Sequence, residues 1–324
     1  MKIIQIDEFG EPGVLKVREV ARPEIQTEKE VLVRVHASGV NFFEVLMRRD
    51  RYAVTPPLPA HFGVEVAGVV EAVGAKATLP VGSRVAVPLF THGRDGGYAD
   101  YVVVDEAACV PLPDEVPFDP AVALQVQGLT ALHAVRQTTP EGRSVLVTAA
   151  GGGVGTLLIQ LARQAGARRI VALAGSREKL DTALSLGADV AINHRDGDWL
   201  AQCAAAGGDG FSTVYDFVGG ELGAAAATLL APTGTLLFGA LGRFALDSGT
   251  MNELLARGQA VKGFALIPLL QAGNVRQDLT ELFRLAASGK LAPVIGARFA
   301  LDRAADAHRL SEARTSIGKI VLQP

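Results

Sequence analysis

Residues 147–155 read VTAAGGGVG. The apolar run SVLV ends at Val147, and the run TLLIQLAR begins directly after Gly155. Three consecutive glycines cost backbone entropy, so their position before a predicted helix needs a reason, either a hinge or a place where backbone contacts a ligand. Ala150, Gly152 and Gly155 follow the spacing G-x-G-x-x-G, with alanine in the first position. Such a strand-to-helix turn lets a pyrophosphate approach bare backbone at a helix N-terminus. The strand before it and the helix after it favour a dinucleotide site over simple turn chemistry.

The segment that follows alternates between apolar strands and helices. After the glycines, apolar residues recur at helical spacing through Leu157, Leu161 and Ala165, and a second helix is predicted over 177–187. The predicted strands cover 144–150, 169–175, 189–193, 212–219, 234–241 and 260–266. Parallel neighbours need crossover helices, so this order predicts an α/β fold with a doubly wound parallel sheet.

The remainder of the chain has a different texture. Residues 1–125 hold short β-branched runs separated by Gly and Pro, which predicts a mostly antiparallel β domain. The tail contains a predicted helix over 274–290 and a final strand, KIVLQP. Because the six strands already complete the parallel sheet, we expect the tail to return to the first domain. The predicted domains are therefore 1–125 with 267–324, and 126–266.

Composition excludes several classes of protein. The 324 residues carry a formal net charge of −3 without a Lys/Arg cluster, which argues against a nucleic-acid surface. The first residues, MKIIQIDEFG, do not form a signal peptide, and no run reaches the roughly 18 apolar residues of a membrane span. We therefore expect a cytoplasmic protein with no membrane partner. Two distant cysteines, Cys109 and Cys203, exclude a disulfide framework or a cysteine-rich zinc lobe.

The residues after the second predicted strand indicate which dinucleotide binds. NAD sites place Asp or Glu there for the ribose hydroxyls, whereas this chain reads AGSREK at 174–179. Ser176, Arg177 and Lys179 are grouped where a 2′-phosphate would lie, and charge-assisted bonds contribute about 1.5–3 kcal/mol each. An ordinary helix start with Ser176 as N-cap is the alternative. The missing acid and the gained cations favour NADP(H).

Taken together, these segments resemble the zinc-free quinone oxidoreductases (zeta-crystallin type) of the medium-chain dehydrogenase/reductase superfamily. The resemblance runs through SGVN at 38–41, GVEVAGVVEAVG at 63–74, GGYADYVVV at 96–104, QGLTALHAV at 127–135, LGAD at 186–189 and GKIVL at 318–322. It implies a GroES-like β domain, the catalytic domain, interrupted by a Rossmann domain that binds NADP. Related alcohol dehydrogenases hold a catalytic zinc with Cys and His at the positions of Asn41 and Val64. With both ligands missing, a zinc site is not expected.

The resemblance also assigns roles to individual residues. Asn41 and Tyr52 would donate hydrogen bonds to the reacting oxygen, and Phe42, Leu46 and Tyr52 would line the substrate site. Asn41 and Thr130 would face the nicotinamide. The remaining predicted cofactor contacts are Gly152, Gly153, Val154, Gly155, Ser176, Arg177, Lys179, His194, Val218, Phe238, Gly239, Ala240, Leu241, Phe264, Leu266 and Lys319. For Asn41 a simple turn role stays open, and for the aliphatic positions a core role.

The expected activity is NADPH-dependent reduction of a quinone, because a hydroquinone anion needs no strong general acid. An enoyl or alkenal double-bond reductase is a close alternative. A non-catalytic NADPH-binding protein, such as a crystallin or sensor, is an alternative of another class. The resemblance and the apolar segment AVKGFALIPL at 260–269, read as a sheet edge, predict a homodimer.

Overall fold

A computed structural model describes residues 1–271 and 274–324 of the chain. It divides into two compact units, Met1–Leu129 with Leu270–Pro324, and Thr130–Leu269. The predicted boundaries at 125/126 and 266/267 lie within a few residues of these limits. The assignment of catalysis to the first unit and of cofactor binding to the second stays a prediction.

The strands are spread over both units. In chain order they are β1 Lys2–Ile6, β2 Lys16–Glu19, β3 Glu30–Val40, β4 Ala60–His61, β5 Val66–Val73, β6 Arg84–Val87, β7 Tyr101–Asp105, β8 Val110–Pro111, β9 Ser144–Val147, β10 Arg169–Ala174, β11 Val190–Asn193, β12 Phe211–Asp216, β13 Leu230–Phe238, β14 Ala260–Gly263, β15 Ile295–Ala300 and β16 Lys319–Gln323.

The helices are shorter on average in the first unit than the crossover helices of the second. They are α1 Phe42–Arg48, α2 Phe118–Ala123, α3 Leu129–Arg136, α4 Gly153–Gln164, α5 Arg177–Ser185, α6 Trp199–Gly207, α7 Gly220–Ala227, α8 Ser248–Ala256, α9 Leu266–Gln271, α10 Val275–Ala287 and α11 Ala304–Ala313. A π-helical turn, Leu124–Gly128, joins α2 to α3. None of the helices in the described part of the chain combines the length and hydrophobicity needed to span a bilayer.

The second unit is built on a parallel sheet of six strands in the order β11-β10-β9-β12-β13-β14. This order confirms the predicted doubly wound α/β fold and puts the strand reversal beside β9, where such folds bind ligands. Four predicted strands, β9, β12, β13 and β14, end three residues earlier than expected, and two of these ends have a clear local cause. Strand β9 stops at Val147 because Thr148–Ala150 turn, with Ala149 at φ 49°. Strand β12 stops because the carboxylate of Asp216 accepts hydrogen bonds from the backbone of Val218 and Gly219.

The first unit contains a seven-stranded sheet along which β15-β16-β3-β5-β6-β8 are neighbours, with β7 paired to β3. A smaller sheet has the order β2-β1-β4. In the tail, β16 runs antiparallel to β3 with Ile320 opposite Val40. Strand β5 lies on the other side of β3 and pairs Val66 with Ser38. The ends of three strands distant in sequence therefore meet at one point of this sheet.

Valines from β3, β5 and β6 form one buried cluster in the large sheet. Val31, Val33, Val66, Val70 and Val85 are completely buried in one cluster. Each such side chain contributes roughly 1.5–3 kcal/mol on burial. This packing fixes the strand register, and with it the position of the polar residues at the strand ends.

Candidate active site

Asn41 lies at the junction of β3 and α1 and is the centre of a buried polar network. Its backbone N–H donates to Glu44 Oε2 at 2.9 Å, the carboxylate half of a capping box. Its side-chain nitrogen Nδ2 donates to Glu65 Oε1 at 2.9 Å and to Glu44 Oε2 at 3.2 Å. Both amide hydrogens are thus held by carboxylates, which fixes the orientation of the amide.

Lys319 reaches the same point from the first residue of β16. Its Nζ donates to Asn41 Oδ1 at 2.8 Å and forms an ion pair with Glu65, and neither charged side chain is exposed. Glu65 Oε2 also accepts from the backbone N–H of Val126 at 2.7 Å. Gly39 leaves the necessary space, since a Cβ there would overlap Glu65 and Lys319. The predicted cofactor contact Lys319 is therefore engaged with Glu65 and Asn41 inside the first unit.

Glu44 extends the network away from Asn41. Its Oε1 accepts from the backbone of Gly63 at 2.8 Å, and the hydroxyl of Tyr98 lies 3.4 Å from its Oε2. Complete burial, helped by the nearby Glu65 carboxylate, raises the pKa of Glu44 to about 7. Neither Glu44 nor Glu65 was among the predicted site residues. The sequence did contain a signal for each of them. Glu44 has the Asn41-x-x-Glu44 spacing of a capping box at a helix start, and Glu65 is a charged residue inside an apolar run.

The predicted substrate residues follow Asn41 along and after α1. Phe42 is 38% exposed and lies under the guanidinium of Arg314, and Leu46 is partly buried. Tyr52 stacks on Phe43 with ring centroids 5.7 Å apart, and burial raises its pKa. Asn41 belongs to the buried network, whereas these three side chains lie outside its hydrogen bonds.

The glycine-rich turn joins β9 to α4 in the second unit. Gly152 precedes the helix, whose first turn contains Gly153, Val154 and Gly155. A Cβ at Gly155 would overlap the carbonyl of Ala149, and one at Gly151 would lie 2.6 Å from Cγ of Lys179. The turn therefore requires small residues, and the free N–H groups at the start of α4 fit an anionic pyrophosphate.

Cationic side chains surround the carboxyl end of β10. Lys179 lies over Gly151, while Nε2 of His194 and Nε of Arg195 are 2.8 and 3.1 Å from the position of a Cβ at Gly175. Burial, with the charge of Arg195 next, lowers the pKa of both Lys179 and His194. An anion at this point would relieve the repulsion between the cations, so the cluster fits a 2′-phosphate.

Arg177 and Lys179 are close in the sequence, but the structure places their side chains in different surroundings. Arg177 is exposed and forms an i,i+4 ion pair with Asp181 on α5. Arg195 lies beside Gly175 and was missed, although it follows β11, the neighbouring parallel strand. Carboxyl ends of parallel strands share one edge, and that rule was the available signal. Ser176 occupies the N-cap position of α5 without a side-chain capping hydrogen bond, and its contact with a 2′-phosphate stays a prediction.

The other predicted cofactor contacts follow β12, β13 and β14 at the same edge. The N–H of Gly239 donates to Asp216, the N–H of Phe264 donates to Phe238, and the ring of Phe264 packs on Phe217. Val218 lies two residues after Asp216 and donates its backbone N–H to the carboxylate of Asp216. Ala240 is buried, Leu241 is 61% exposed, Leu266 begins α9 and Thr130 is buried in α3. Their contact with a cofactor stays a prediction.

Metal ligands are not gathered at either location. Within residues 1–271 and 274–324, no three His, Cys, Asp or Glu side chains are grouped as a metal site would require. Val64, at the position of a zinc-ligating His in related alcohol dehydrogenases, is buried and apolar. The independence of the chemistry from zinc stays a prediction.

Comparison with known proteins gives matches along the whole chain. Residues 27–114 match the family model of the alcohol dehydrogenase GroES-like domain, and residues 186–322 match that of the zinc-binding dehydrogenases. A quinone oxidoreductase of Pseudomonas aeruginosa is 33% identical over 334 residues, covering 100% of this chain and 99% of its own.

Solved structures agree over the same length. An NAD-dependent alcohol dehydrogenase superposes with a TM-score of 0.89 at 31% identity, covering 100% of both chains. The Escherichia coli quinone oxidoreductase, complexed with NADPH, superposes with a TM-score of 0.88 at 28% identity, again covering 100% of both chains. Both cofactor types thus occur on this fold, and the residues after β10 must distinguish them.

The buried ion pair yields a first prediction. Lys319→Met leaves the Glu65 carboxylate buried without its cation and should lower the free energy of unfolding by about 3–5 kcal/mol. The double variant Lys319→Met/Glu65→Gln should recover part of this loss, because no uncompensated charge remains. Urea unfolding of the two variants and of Glu65→Gln measures the coupling. Equal stabilities of all three would contradict the burial described here.

The glycine-rich turn yields a second prediction. Gly155→Ala places a methyl group against backbone that cannot retreat, so it should lower the free energy of unfolding by about 1–3 kcal/mol. It should also weaken NADPH binding, since α4 must move away from β9. Gly197→Ala is the matched control, because a Cβ there meets open space. Thermal unfolding measures the stability of both variants, and fluorescence titration measures their affinity for NADPH. Equal stability and equal affinity of the two variants would mean that the turn has room for a side chain, which would contradict this prediction.

Proposed function

The chain belongs to the quinone oxidoreductase family of medium-chain dehydrogenases/reductases, and on this premise we propose that it is an NADPH-dependent reductase of quinones or similar conjugated carbonyl compounds. The observation that carries the proposal is the cluster of the cations Lys179 and Arg195 with the imidazole of His194 at the carboxyl end of β10, where an NAD site would have an acid. This cluster supports NADPH over NADH, although the fold also occurs in an NAD-dependent alcohol dehydrogenase.

Residues of the second unit would hold the cofactor. The turn at Gly152 and Gly153 would bind the pyrophosphate through the first N–H groups of α4, whose dipole also favours an anion. Lys179, His194 and Arg195 would bind the 2′-phosphate. Quinone oxidoreductases of Escherichia coli and Thermus thermophilus have been solved with NADPH, which supports this choice of cofactor.

Residues of the first unit would act on the acceptor. Bound NADPH supplies the hydride, and the reduced acceptor then carries negative charge on an oxygen. Asn41 is fixed by Glu44, Glu65 and Lys319, so its amide is oriented before the charge develops. Both hydrogens of Nδ2 are bonded to carboxylates, so one of them would have to be shared with the developing oxyanion for Asn41 to donate to it. The hydroxyl of Tyr52 would be a second donor, and Phe42 and Leu46 suit a flat apolar ligand. A metal ion is not needed to stabilise the oxygen, because hydride transfer to a quinone gives an aromatic hydroquinone anion. This anion is stable, and water can protonate it.

Two other functions are outcomes of the same experiment. An enoyl or alkenal reductase needs the same cofactor and the same oxyanion stabilisation, and a non-catalytic NADPH-binding protein needs only the second unit's site. The homodimer and the cytoplasmic location stay predictions. Strand β14, at the edge of the parallel sheet, supports the homodimer, since it leaves backbone groups available for pairing with a copy.

The substrate class is tested with a panel. Purified protein with NADPH should reduce 1,4-benzoquinone and naphthoquinones faster than 2-alkenals, as followed by the loss of NADPH absorbance. A chelator should leave the rate unchanged, because the ligands of a catalytic zinc are missing at Asn41 and Val64. Turnover of alkenals alone would replace the quinone assignment, and binding of NADPH without any turnover would favour the non-catalytic alternative.

The cofactor preference is tested with three variants. Lys179→Ala and Arg195→Ala should each weaken NADPH binding about 10- to 150-fold while changing NADH binding little, since each removes a charge-assisted bond worth about 1.5–3 kcal/mol. Arg177→Ala is the matched control, because Arg177 is paired with Asp181. Calorimetric titration of both cofactors measures the effect. Equal affinity of the wild-type protein for NADPH and NADH would overturn the 2′-phosphate site.

A further inference from the structure

A line of buried polar groups leads from Asn41 to the far side of the first unit. Glu44 Oε2 lies 3.4 Å from the hydroxyl of Tyr98, and that hydroxyl lies 3.3 Å from Nε2 of His308 on α11. All three residues are at most 1% exposed. Beyond them, Nδ1 of His308 and Nε and Nη1 of Arg48 are buried without a hydrogen-bond partner in the described chain. Nη2 of Arg48 pairs with Glu312, whose side chain is 20% exposed.

This line can exist in two hydrogen-bond patterns that differ by one proton. When Glu44 is ionised, Tyr98 donates to its carboxylate and Nε2–H of His308 donates to the tyrosine oxygen. When Glu44 is protonated, it donates to Tyr98, Tyr98 donates to Nε2, and Nδ1 carries the hydrogen. A proton that binds Nδ1 therefore releases the one on Nε2 to Tyr98, and Tyr98 releases its own to Glu44. The entering proton comes from water that reaches the buried Nδ1 when the structure opens locally, and one proton stays on Glu44, so the transfer balances.

The charge at Asn41 depends on this proton. The groups that face Glu44 are Glu65 before β5, Lys319 on β16 and Tyr98 before β7, with His308 and Arg48 behind the tyrosine. Two carboxylates and one ammonium around Asn41 leave one negative charge when Glu44 is ionised, and none when it is protonated. An uncompensated negative charge in this buried network repels the negative charge that a hydride brings to a neighbouring acceptor, and burial away from water strengthens the repulsion.

We propose that Glu44 is a positioning residue whose protonated form neutralises the Asn41 network before hydride transfer, and that it exchanges its proton through Tyr98 and His308. This rests on the proposed function, in which Asn41 faces the acceptor. Protonation also weakens Glu44 as an acceptor for Asn41 Nδ2, which makes that hydrogen available to the developing oxyanion.

The acidities along the line agree with this direction of transfer. Burial and the charge of Arg48 lower the pKa of His308 to about 3, so its imidazolium form is short-lived and passes the proton on. Burial, helped by the nearby Glu44, raises the pKa of Tyr98 well above its usual value. Glu44, whose pKa is raised to about 7, is the member of this line that gains or loses a proton near neutral pH.

The test uses infrared difference spectra of the full-length protein without substrate, titrated from mildly acidic to mildly alkaline pH. A protonated carboxyl band should disappear near neutrality in the wild-type protein and be absent from Glu44→Gln. Glu28→Gln, which alters an exposed glutamate paired with Lys76 in the same unit, should keep the band. Absence of the band from the wild-type protein, or its persistence in Glu44→Gln, would overturn the proposal.

Two further measurements separate the proton path from the function. In Tyr98→Phe the band should remain, but its exchange in deuterium oxide should slow about tenfold or more, because the linking hydroxyl is gone. Exchange as fast as in the wild type would refute the path. For quinone reduction, wild-type kcat should fall about tenfold for each pH unit above neutrality, whereas Glu44→Gln should give a flat profile. If no acceptor is reduced, the proposed function fails while the infrared result still decides whether Glu44 stores the proton.

Discussion

The ion pair of Lys319 and Glu65 is the interaction on which the candidate site depends. Both side chains are withdrawn from water, at a desolvation cost that only close contact and further hydrogen bonds can offset. Asn41 and the backbone of Val126 supply those hydrogen bonds. The first unit can therefore bury this pair only when β16, β3 and the segment before β5 are in register. Stability of the sheet and orientation of Asn41 are consequences of the same contacts.

In the proposed function, the two units divide the chemical requirements between them. The second unit offers what a dinucleotide needs, namely a turn of small residues, a helix N-terminus and cations beside Gly175. The first unit offers preorganised polar groups around Asn41 in place of the zinc ligands of related alcohol dehydrogenases. A carboxylate, an amide and an ammonium make a cluster that can respond to charge through hydrogen bonds and protonation.

Much of the fold follows from the sequence because it depends on local patterns. The period of the apolar residues predicted six parallel strands, and the texture of the tail predicted its return to the first unit. Strand ends at Val147 and Asp216 were misjudged because a side chain or a turn, invisible in the apolar pattern, stops the strand. Lys319 was predicted as a cofactor contact, and its ion pair was not foreseen because its partner Glu65 is 254 residues away and only the register of β16 brings them together. Arg195 was missed for a related reason, since its neighbour Gly175 follows a different strand, β10. The candidate site is formed by contacts between residues on different strands, and sequence spacing alone does not reveal these contacts.

The central claim is that a network without metal ligands orients the acceptor for direct hydride transfer from NADPH. A single-turnover experiment on metal-stripped protein, with NADPH deuterated at the transferred position of C4 and a benzoquinone, tests it most directly. Complete oxidation of the cofactor with a primary isotope effect on the observed rate is the predicted result. Oxidation that requires added zinc, or that shows no isotope effect under conditions where transfer is rate-limiting for the unlabelled cofactor, would contradict it.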